Sequence, residues 1–181
     1  WVKFGKLNAI ANKYALLIVT WLKYEYPENW KTIFNEFLQI SLNTSTNEEK
    51  ITKINMFLNI LITFDDEFIK YRHTFDAFLD TRSTLIKDNL RLDTQLIEII
   101  SFLNNILDSS TTLPIKITIN ALKVLGQLID WNSLELFNDS ISKVQVLFNT
   151  NDFIKPSLEV YSALTNKGQL LREKLTLLNA L

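Results

Sequence analysis

The stretch PIKITINALKVLGQLID, residues 114 to 130, decides the fold. Its first half alternates, with Ile115, Ile117 and Ile119 separated by polar residues, which is typical of a half-buried strand. Its second half restores the spacing of three and four residues between apolar positions, which places them on one face of a helix. Because the helical spacing is restored from Ala121 through Leu125, we predict one helix over the whole stretch.

The same helical period recurs on both sides of this stretch. A helix from about residue 2 to 25 is predicted to bury Leu7, Ile10, Ala11, Tyr14, Leu17, Ile18 and Trp21. Further helices are predicted over about 27–41, 48–69, 85–107, 133–148 and 152–164, and over 170–181 after a turn at Gly168. Residues 70–82 have weak periodicity and predict a connector. Two N-caps are expected, at Thr46 or Asn47 and at Thr112 before Pro114.

Composition excludes several classes of protein. The 181 residues include three glycines and three prolines, too few for a turn-rich sandwich or barrel. The absence of cysteine excludes disulfides and thiolate metal sites, and the single histidine, His73, excludes a His-rich metal site. No phosphate-binding glycine loop or nucleophile elbow occurs, and His73 is expected to be an exposed polar residue of the connector. We therefore predict a protein that is not an enzyme and needs no cofactor.

Two further features concern membranes and acidic chemistry. The longest apolar run, Ala15 to Val19, is far shorter than a membrane span, so no membrane insertion is expected. The neighbouring carboxylates of Asp65, Asp66 and Glu67 have the residue types of an acid/base pair. Because they follow a predicted helix, we expect an exposed acidic helix end instead.

Helix pairs joined by short turns are typical of an α-solenoid. We predict an all-α fold, a HEAT-repeat superhelix of antiparallel helix pairs, with a compact helical bundle as the alternative. The chain is expected to be one continuous segment of a longer protein, with approximate pairs at 1–47, 48–112, 113–150 and 151–181.

Several stretches occur in an order and spacing that resemble one family. They are Tyr24–Phe34 with its Tyr-Pro-x-x-Trp motif, Asn55–Leu61 followed by Asp65–Glu67, Thr84–Arg91, Leu122–Gly126 with Trp131, and Asn166–Gly168. The chain resembles the exportin-T family, the tRNA-exporting branch of the karyopherin-β (importin-β-like) nuclear transport receptors. Of these stretches, Thr84–Arg91 is the most specific for that family.

The resemblance implies a HEAT-repeat receptor that binds tRNA cooperatively with the GTP form of Ran. Such a receptor shuttles between nucleus and cytoplasm, with nuclear pore proteins as further partners, and is not an enzyme. Two alternatives stay open: a karyopherin that carries protein cargo, and a HEAT-repeat scaffold for protein–protein interaction without Ran.

A polar stripe on the predicted helix 85–107 is the candidate contact surface. At about 100° per residue, six side chains fall on one face: Lys87, Arg91, Thr94, Glu98, Ser101 and Asn105. Second helices of HEAT pairs line the concave side, so we predict that tRNA or Ran contacts Lys87, Arg91, Thr94, Glu98 and Asn105. The alternative is a solvated face on which Arg91 pairs with Asp88 or Glu98.

The corresponding stripes on two other helices are acidic or uncharged. They comprise Glu28, Thr32, Asn35 and Gln39, and then Glu135, Asn138, Ser142 and Gln145. Phosphate contacts rely on lysine and arginine, and the formal net charge of the chain is -1. We therefore do not expect this segment to bind nucleic acid by itself.

Overall fold

The computed structural model describes residues 8–43, 46–70 and 77–168. These residues form eight α-helices connected by turns and short 3-10 and π segments, and no strand occurs among them. The helices are α1 (Asn8–Glu25), α2 (Ile33–Leu42), α3 (Asn47–Phe64), α4 (Ala77–Leu92), α5 (Gln95–Asp108), α6 (Ile115–Trp131), α7 (Asn138–Phe148) and α8 (Ile154–Asn166). The all-α prediction is confirmed, as is the helix over the deciding stretch.

The chain divides into two compact units, residues 1–99 and 100–181, and each is described by itself. In the first unit, α1 and α2 both pack against α3. Its core contains a chain of aromatic rings whose neighbouring centroids are 5.4, 5.6 and 5.9 Å apart: Tyr26, Phe34, Phe64 and Phe68. The division of the chain into four helix pairs stays a prediction.

The buried face of α1 differs from the predicted one. Ala11 and Ile18 are buried as predicted, but Leu17 and Trp21 are 64% and 53% exposed, and Leu7 lies outside the described residues. The buried side chains are Ala11, Ala15, Ile18, Val19 and Leu22. Because α1 is apolar on more than one side, its periodicity does not decide which side meets the core.

The two predicted N-caps had different outcomes. The Thr46 hydroxyl accepts a hydrogen bond from the Glu49 amide at 3.2 Å, so this cap is confirmed. The cap at Thr112 is wrong. The chain stays extended at Pro114, with ψ of 134°, so α6 begins only afterwards, and the Thr112 hydroxyl donates to the Ser109 carbonyl instead.

Pro27 does not begin a helix, contrary to the prediction. The Tyr26–Pro27 peptide is cis, and residues 26–32 form turns before α2 starts at Ile33. The first helical turn therefore lies downstream of the predicted one.

A π turn, Asp65–Ile69, follows α3. Asp66 and Glu67 are exposed as predicted, but Asp65 is buried, with the Lys70 ammonium 3.3 Å from its carboxylate. Phe68 is fully buried, and the Lys23 ammonium lies 5.5 Å from the centroid of its ring. The wider π turn changes which side chains face the core, so the prediction of an exposed acidic end is wrong for Asp65.

The predicted connector is shorter than expected, because α4 begins at Ala77. Residues 77–82 are therefore helical, and His73 lies outside the described residues. The helix buries Ile86 and Leu90 further along. Its first turns are anchored by hydrogen bonds of Arg82 to residues distant in sequence, which local periodicity does not reveal.

The prediction of one continuous helix over residues 85–107 is also wrong. The helix breaks between Leu92 and Gln95. There the Asp93 carboxylate accepts a hydrogen bond from the Thr94 amide at 2.7 Å. Aspartate side chains that bond to nearby amides compete with the helix and favour a new helix start, so α4 ends and α5 begins.

In the second unit, α8 packs against both α6 and α7. Gly126, in the interior of α6, lies opposite Val160 of α8. An alanine Cβ at this position would be 3.8 Å from the Val160 Cα and 3.9 Å from its Cγ2, which is ordinary van der Waals contact.

We expect Gly126→Ala to stabilise the second unit by about 0.5 to 1 kcal/mol. Alanine loses less backbone entropy than glycine in a helix interior, and the structure has room for the methyl group. Urea unfolding followed by circular dichroism measures the change. Gly126→Leu is the matched control, since its larger side chain would collide with α8 and should destabilise. Destabilisation by alanine would contradict the packing described.

Candidate nucleic-acid and protein interface

Four of the five candidate contact residues lie in the first unit. Lys87 and Arg91 are one turn apart on α4, so their side chains share a face of that helix. Thr94 is exposed at the break after α4, and Glu98 is half-buried in the first turn of α5. Asn105 is exposed on the part of α5 that belongs to the second unit. The structure thus brings Lys87 and Arg91 together, but the five residues do not form a stripe on one helix.

The charge of this α4 surface is mixed. The Arg91 guanidinium pairs with Asp88 at 2.9 Å, and the two side chains are 42% and 55% exposed. Exposed pairs of this kind contribute about 1 kcal/mol or less, so both groups can exchange the pair for another partner. This pairing is the one that the solvated-face alternative anticipates for Arg91.

An open groove of about 480 Å³ runs along the same helix. Its lining residues are Asp80, Thr81, Thr84, Leu85, Asp88 and Asn89. Two carboxylates and several neutral oxygens and amides suit a cationic side chain better than a phosphate. The basic pair Lys87 and Arg91 is therefore balanced by two acidic neighbours.

The other two predicted stripes are only partly on helices. Glu28 lies in the turn before α2, so its membership of a helical stripe is a wrong prediction. Thr32 precedes α2, and its hydroxyl donates to the Glu36 carboxylate at 2.6 Å. Asn138, Ser142 and Gln145 lie on α7, whereas Glu135 lies in the 3-10 segment before it.

Arg82 makes hydrogen bonds to four residues distant in sequence, and the sequence analysis missed it. Its side chain is 11% exposed and reaches from α4 to the C-terminal end of α1. The guanidinium donates to the carbonyls of Lys23 at 2.7 Å, Tyr24 at 3.1 Å and Tyr26 at 2.5 Å. It also forms a bidentate pair with the Glu28 carboxylate.

The chemistry of this arrangement is that of a helix C-cap. The last carbonyls of a helix lack partners within the helix and carry partial negative charge, and an arginine fork can satisfy several acceptors at once. The hydrogen bond from Arg82 to the Glu28 carboxylate holds the pKa of that carboxylate below its ordinary value. Arg82 therefore fixes α4 to the turn that joins α1 and α2.

A lysine has a similar role in the second unit. The Lys167 ammonium donates to the Ile129 carbonyl at 2.5 Å and to the Asn132 carbonyl, at the C-terminal end of α6. Both units thus use a basic side chain that is distant in sequence to complete a helix end. These side chains are structural, and their positive charges are directed at the backbone rather than at a ligand.

Tyr26 and Gln95 are two buried polar residues near this cap. The Gln95 amide donates to the Lys31 carbonyl at 2.9 Å and to Asp93 at 3.1 Å. Burial is the main cause that raises the pKa of Tyr26 to about 12, and the negative charge of Asp93 acts in the same direction. The Gln95 side chain lowers this pKa and so opposes the change. Tyr26 is therefore neutral at physiological pH, and the cluster joins the start of α5 to the turn before α2.

Two features of the described residues bear on other functions. Among residues 8–43, 46–70 and 77–168, no group of three or more acidic or histidine side chains is arranged to hold a metal ion. Over the same part of the chain, no helix combines the length and apolarity needed to cross a bilayer.

Comparison with known families gives a match over most of the chain. The family described as "Exportin 1-like protein" matches residues 7–160. The chain belongs to this family. The exportin 1-like domain is a HEAT-like helical repeat, so the predicted class of fold is confirmed for this chain.

Two curated relatives of this exportin 1-like chain are both named Exportin-T. The protein from Dictyostelium discoideum is 39% identical over 85 residues, which cover 46% of this chain and 7% of the relative. The protein from Candida albicans is 25% identical over 158 residues, which cover 86% of this chain and 15% of the relative. The chain thus spans a small part of the length of these relatives, and the resemblance to the exportin-T family is confirmed.

Proposed function

We propose that this chain is part of a nuclear export receptor that binds tRNA cooperatively with the GTP form of Ran. The receptor carries the tRNA from the nucleus to the cytoplasm, contacts nuclear pore proteins on the way and catalyses no reaction itself. The observation that carries the proposal is the exportin 1-like match over residues 7–160, with relatives named Exportin-T.

The charges of this segment limit how many contacts it can make to the phosphates of tRNA. Its net charge is -1, and the Lys87–Arg91 pair on α4 shares its helix with Asp80 and Asp88. Because nucleic-acid affinity depends on the number of phosphates neutralised, this segment supplies at most a few of the contacts to tRNA. The remaining affinity comes from the whole receptor, through the shape and backbone of the RNA.

A karyopherin for protein cargo is the second candidate. The groove lined by Asp80 and Asp88 favours it, because carboxylates attract a basic protein surface and repel phosphate. The same groove also suits a basic patch on Ran.

Binding of the full-length protein to tRNA, with and without Ran in its GTP form, tests the proposal. Filter binding of labelled tRNA should show tighter binding when Ran·GTP is present. Binding of Ran·GTP without any effect of tRNA would indicate a receptor for protein cargo. Binding of neither would indicate a scaffold without Ran and would refute the proposal.

We expect Arg91→Glu to weaken the ternary complex by about tenfold, since one charge-assisted contact is replaced by a repulsive one. The control is Lys155→Glu, which makes the same change of charge at an exposed position of α8 in the other unit. Titration of labelled tRNA at saturating Ran·GTP measures both variants. Equal affinities for Arg91→Glu and the control would show that the Lys87–Arg91 surface is merely solvated.

A further inference from the structure

The three basic residues of α4 lie on two sides of the face that this helix buries. Ile86 and Leu90 are 0% and 2% exposed and mark the buried face. At about 100° per residue, Arg82 falls about 60° to one side of their midpoint. Lys87 and Arg91 fall about 80° and 120° to the other side. Any rotation of α4 about its axis therefore moves Lys87 and Arg91 and strains the contacts of Arg82 together.

The buried apolar side chains do not fix that rotation by themselves, because apolar contact is non-directional. Hydrogen bonds depend on angle as well as on distance, and the guanidinium of Arg82 presents its donors in a rigid planar fork. The acceptors of this fork are the carbonyls of Lys23, Tyr24 and Tyr26 and the carboxylate of Glu28. Four acceptors can be met at once over a narrow range of rotations only, so Arg82 determines how α4 is turned.

A second attachment lies beyond the other end of α4. The Gln95 side chain is 1% exposed, and its amide donates to the Lys31 carbonyl at 2.9 Å. Lys31 belongs to the turns before α2, as does one of the acceptors of Arg82. Arg82 and Gln95 precede and follow Lys87 and Arg91 in the chain, so the same part of the first unit holds the segment on both sides of the basic pair.

The three basic residues of α4 differ in what they can contact. The Arg82 side chain is 11% exposed, and its hydrogen bonds are directed at acceptors of the protein itself. Arg91 is 42% exposed, and its pair with the 55% exposed Asp88 can be exchanged for another partner. Arg82 can therefore affect a ligand of this helix through the placement of Lys87 and Arg91, and not by touching the ligand.

We propose that Arg82 is a positioning residue for assembly with tRNA and Ran·GTP, which sets the rotation of α4 and thereby directs Lys87 and Arg91 toward the ligand. The inference rests on the proposed function and adds a residue that contacts neither partner. When α4 is not held at one rotation, Arg91 makes its charge-assisted contact for only part of the time. Loss of the Arg82 fork and loss of the Arg91 side chain should therefore remove largely the same contact.

A double-mutant cycle in the full-length protein tests this inference by titration of labelled tRNA at saturating Ran·GTP. Arg82→Lys keeps the charge but not the fork, and it should weaken binding by about threefold. Arg91→Ala should weaken binding by about fivefold. The double variant should be weaker by about fivefold, rather than by the product of about fifteenfold. Because nine residues of helix separate the two positions by about 13 Å, direct contact between their side chains would not cause this coupling.

Two controls separate positioning from a general loss of stability. Phe34→Leu alters the core between α2 and α3, and it should leave the fivefold effect of Arg91→Ala unchanged. Amide exchange without any ligand provides a second readout. In Arg82→Lys the amides of α4 should exchange about fivefold faster, while those of α3 change by less than about twofold. In Phe34→Leu the exchange of α3 should change at least as much as that of α4.

Two results would overturn the inference. Additive effects in the double variant would show that Arg82 and Arg91 act independently, and unchanged exchange of the α4 amides in Arg82→Lys would show that the fork does not hold this helix. Failure of the proposed function is distinguishable, since it appears in the wild type alone, as binding of tRNA that Ran·GTP does not strengthen. That result would remove the inference as well, whatever the variants show.

Discussion

Replacing Arg82 by alanine should destabilise the first unit by about 3 kcal/mol. The variant leaves the carbonyls of Lys23, Tyr24 and Tyr26 without this donor; the bonds to Lys23 and Tyr26 are part-buried and the bond to Tyr24 is exposed. A fully buried acceptor without a partner costs about 1 to 3 kcal/mol, so the two part-buried acceptors account for most of the loss. Solvent compensates in part, because Glu28 is half-exposed and can be hydrated. Urea unfolding, followed by tryptophan fluorescence and by amide exchange in α1, measures the loss.

Two variants distinguish the cap from a general effect of losing an arginine. Arg91→Ala removes an exposed arginine of the same helix and should cost less than about 0.5 kcal/mol. Arg82→Lys keeps the charge but not the fork, so its cost should lie between the two. If Arg82→Ala and Arg91→Ala have equal effects, the cap does not hold α4 to α1.

The same cap should give the first unit a dependence on acid pH. Because the pKa of Glu28 is lowered in the folded protein, its contribution to the free energy of unfolding is present above the unfolded pKa. It is lost as the pH falls through the folded value. The urea midpoint should therefore fall less steeply below about pH 4.5 in Arg82→Ala, whose Glu28 has no guanidinium partner.

Phe34→Ala should have an effect of similar or greater size, a loss of about 4 kcal/mol. The Phe34 ring is 1% exposed and lies between Tyr26 and Phe64, with edge-on contacts at 5.4 and 5.6 Å. Its removal leaves a cavity at the junction of α2 and α3 and ends both ring contacts. The urea midpoint of the first unit should fall accordingly.

The matched control for this prediction is Phe78→Ala. Phe78 is 59% exposed at the start of α4, so its loss should cost less than about 0.5 kcal/mol. Phe34→Leu fills most of the cavity and should cost about 1.5 kcal/mol or less. A small effect of Phe34→Ala would show that the aromatic chain does not form the core of this unit.

The helices and several of their ends could be predicted because their causes are local. Over residues 114–130 the chain is helical, as the helical spacing of its later apolar residues predicted, although its first residues alternate. Thr46 caps the helix α3, which begins at the next residue. Lys87 and Arg91 were placed on one face correctly, since residues four apart on a helix are neighbours whatever the rest of the chain does.

The wrong predictions of helix boundaries fall at positions where the helix and a turn are nearly equal in stability. At Asp93 the helix α4 has ended and the carboxylate accepts hydrogen bonds from Thr94 and Gln95, although apolar residues continue at helical spacing on both sides. At Pro27 the chain forms a turn before α2, although proline is also frequent in the first turn of a helix. Periodicity measures the average preference of a segment, so it does not reveal one residue at which another conformation is more stable.

Local sequence was enough to predict an all-helical fold and most of its helical segments, and the quoted stretches were enough to predict the exportin family. Tertiary packing is what makes α1 bury Ala11 and Ala15 and expose Trp21, and what lets Arg82 cap a helix end at carbonyls 58 and 59 residues before it. The physical reason is that helix formation depends on neighbours within a turn or two. The choice of buried face and the partners of a long polar side chain depend on which distant segments pack there.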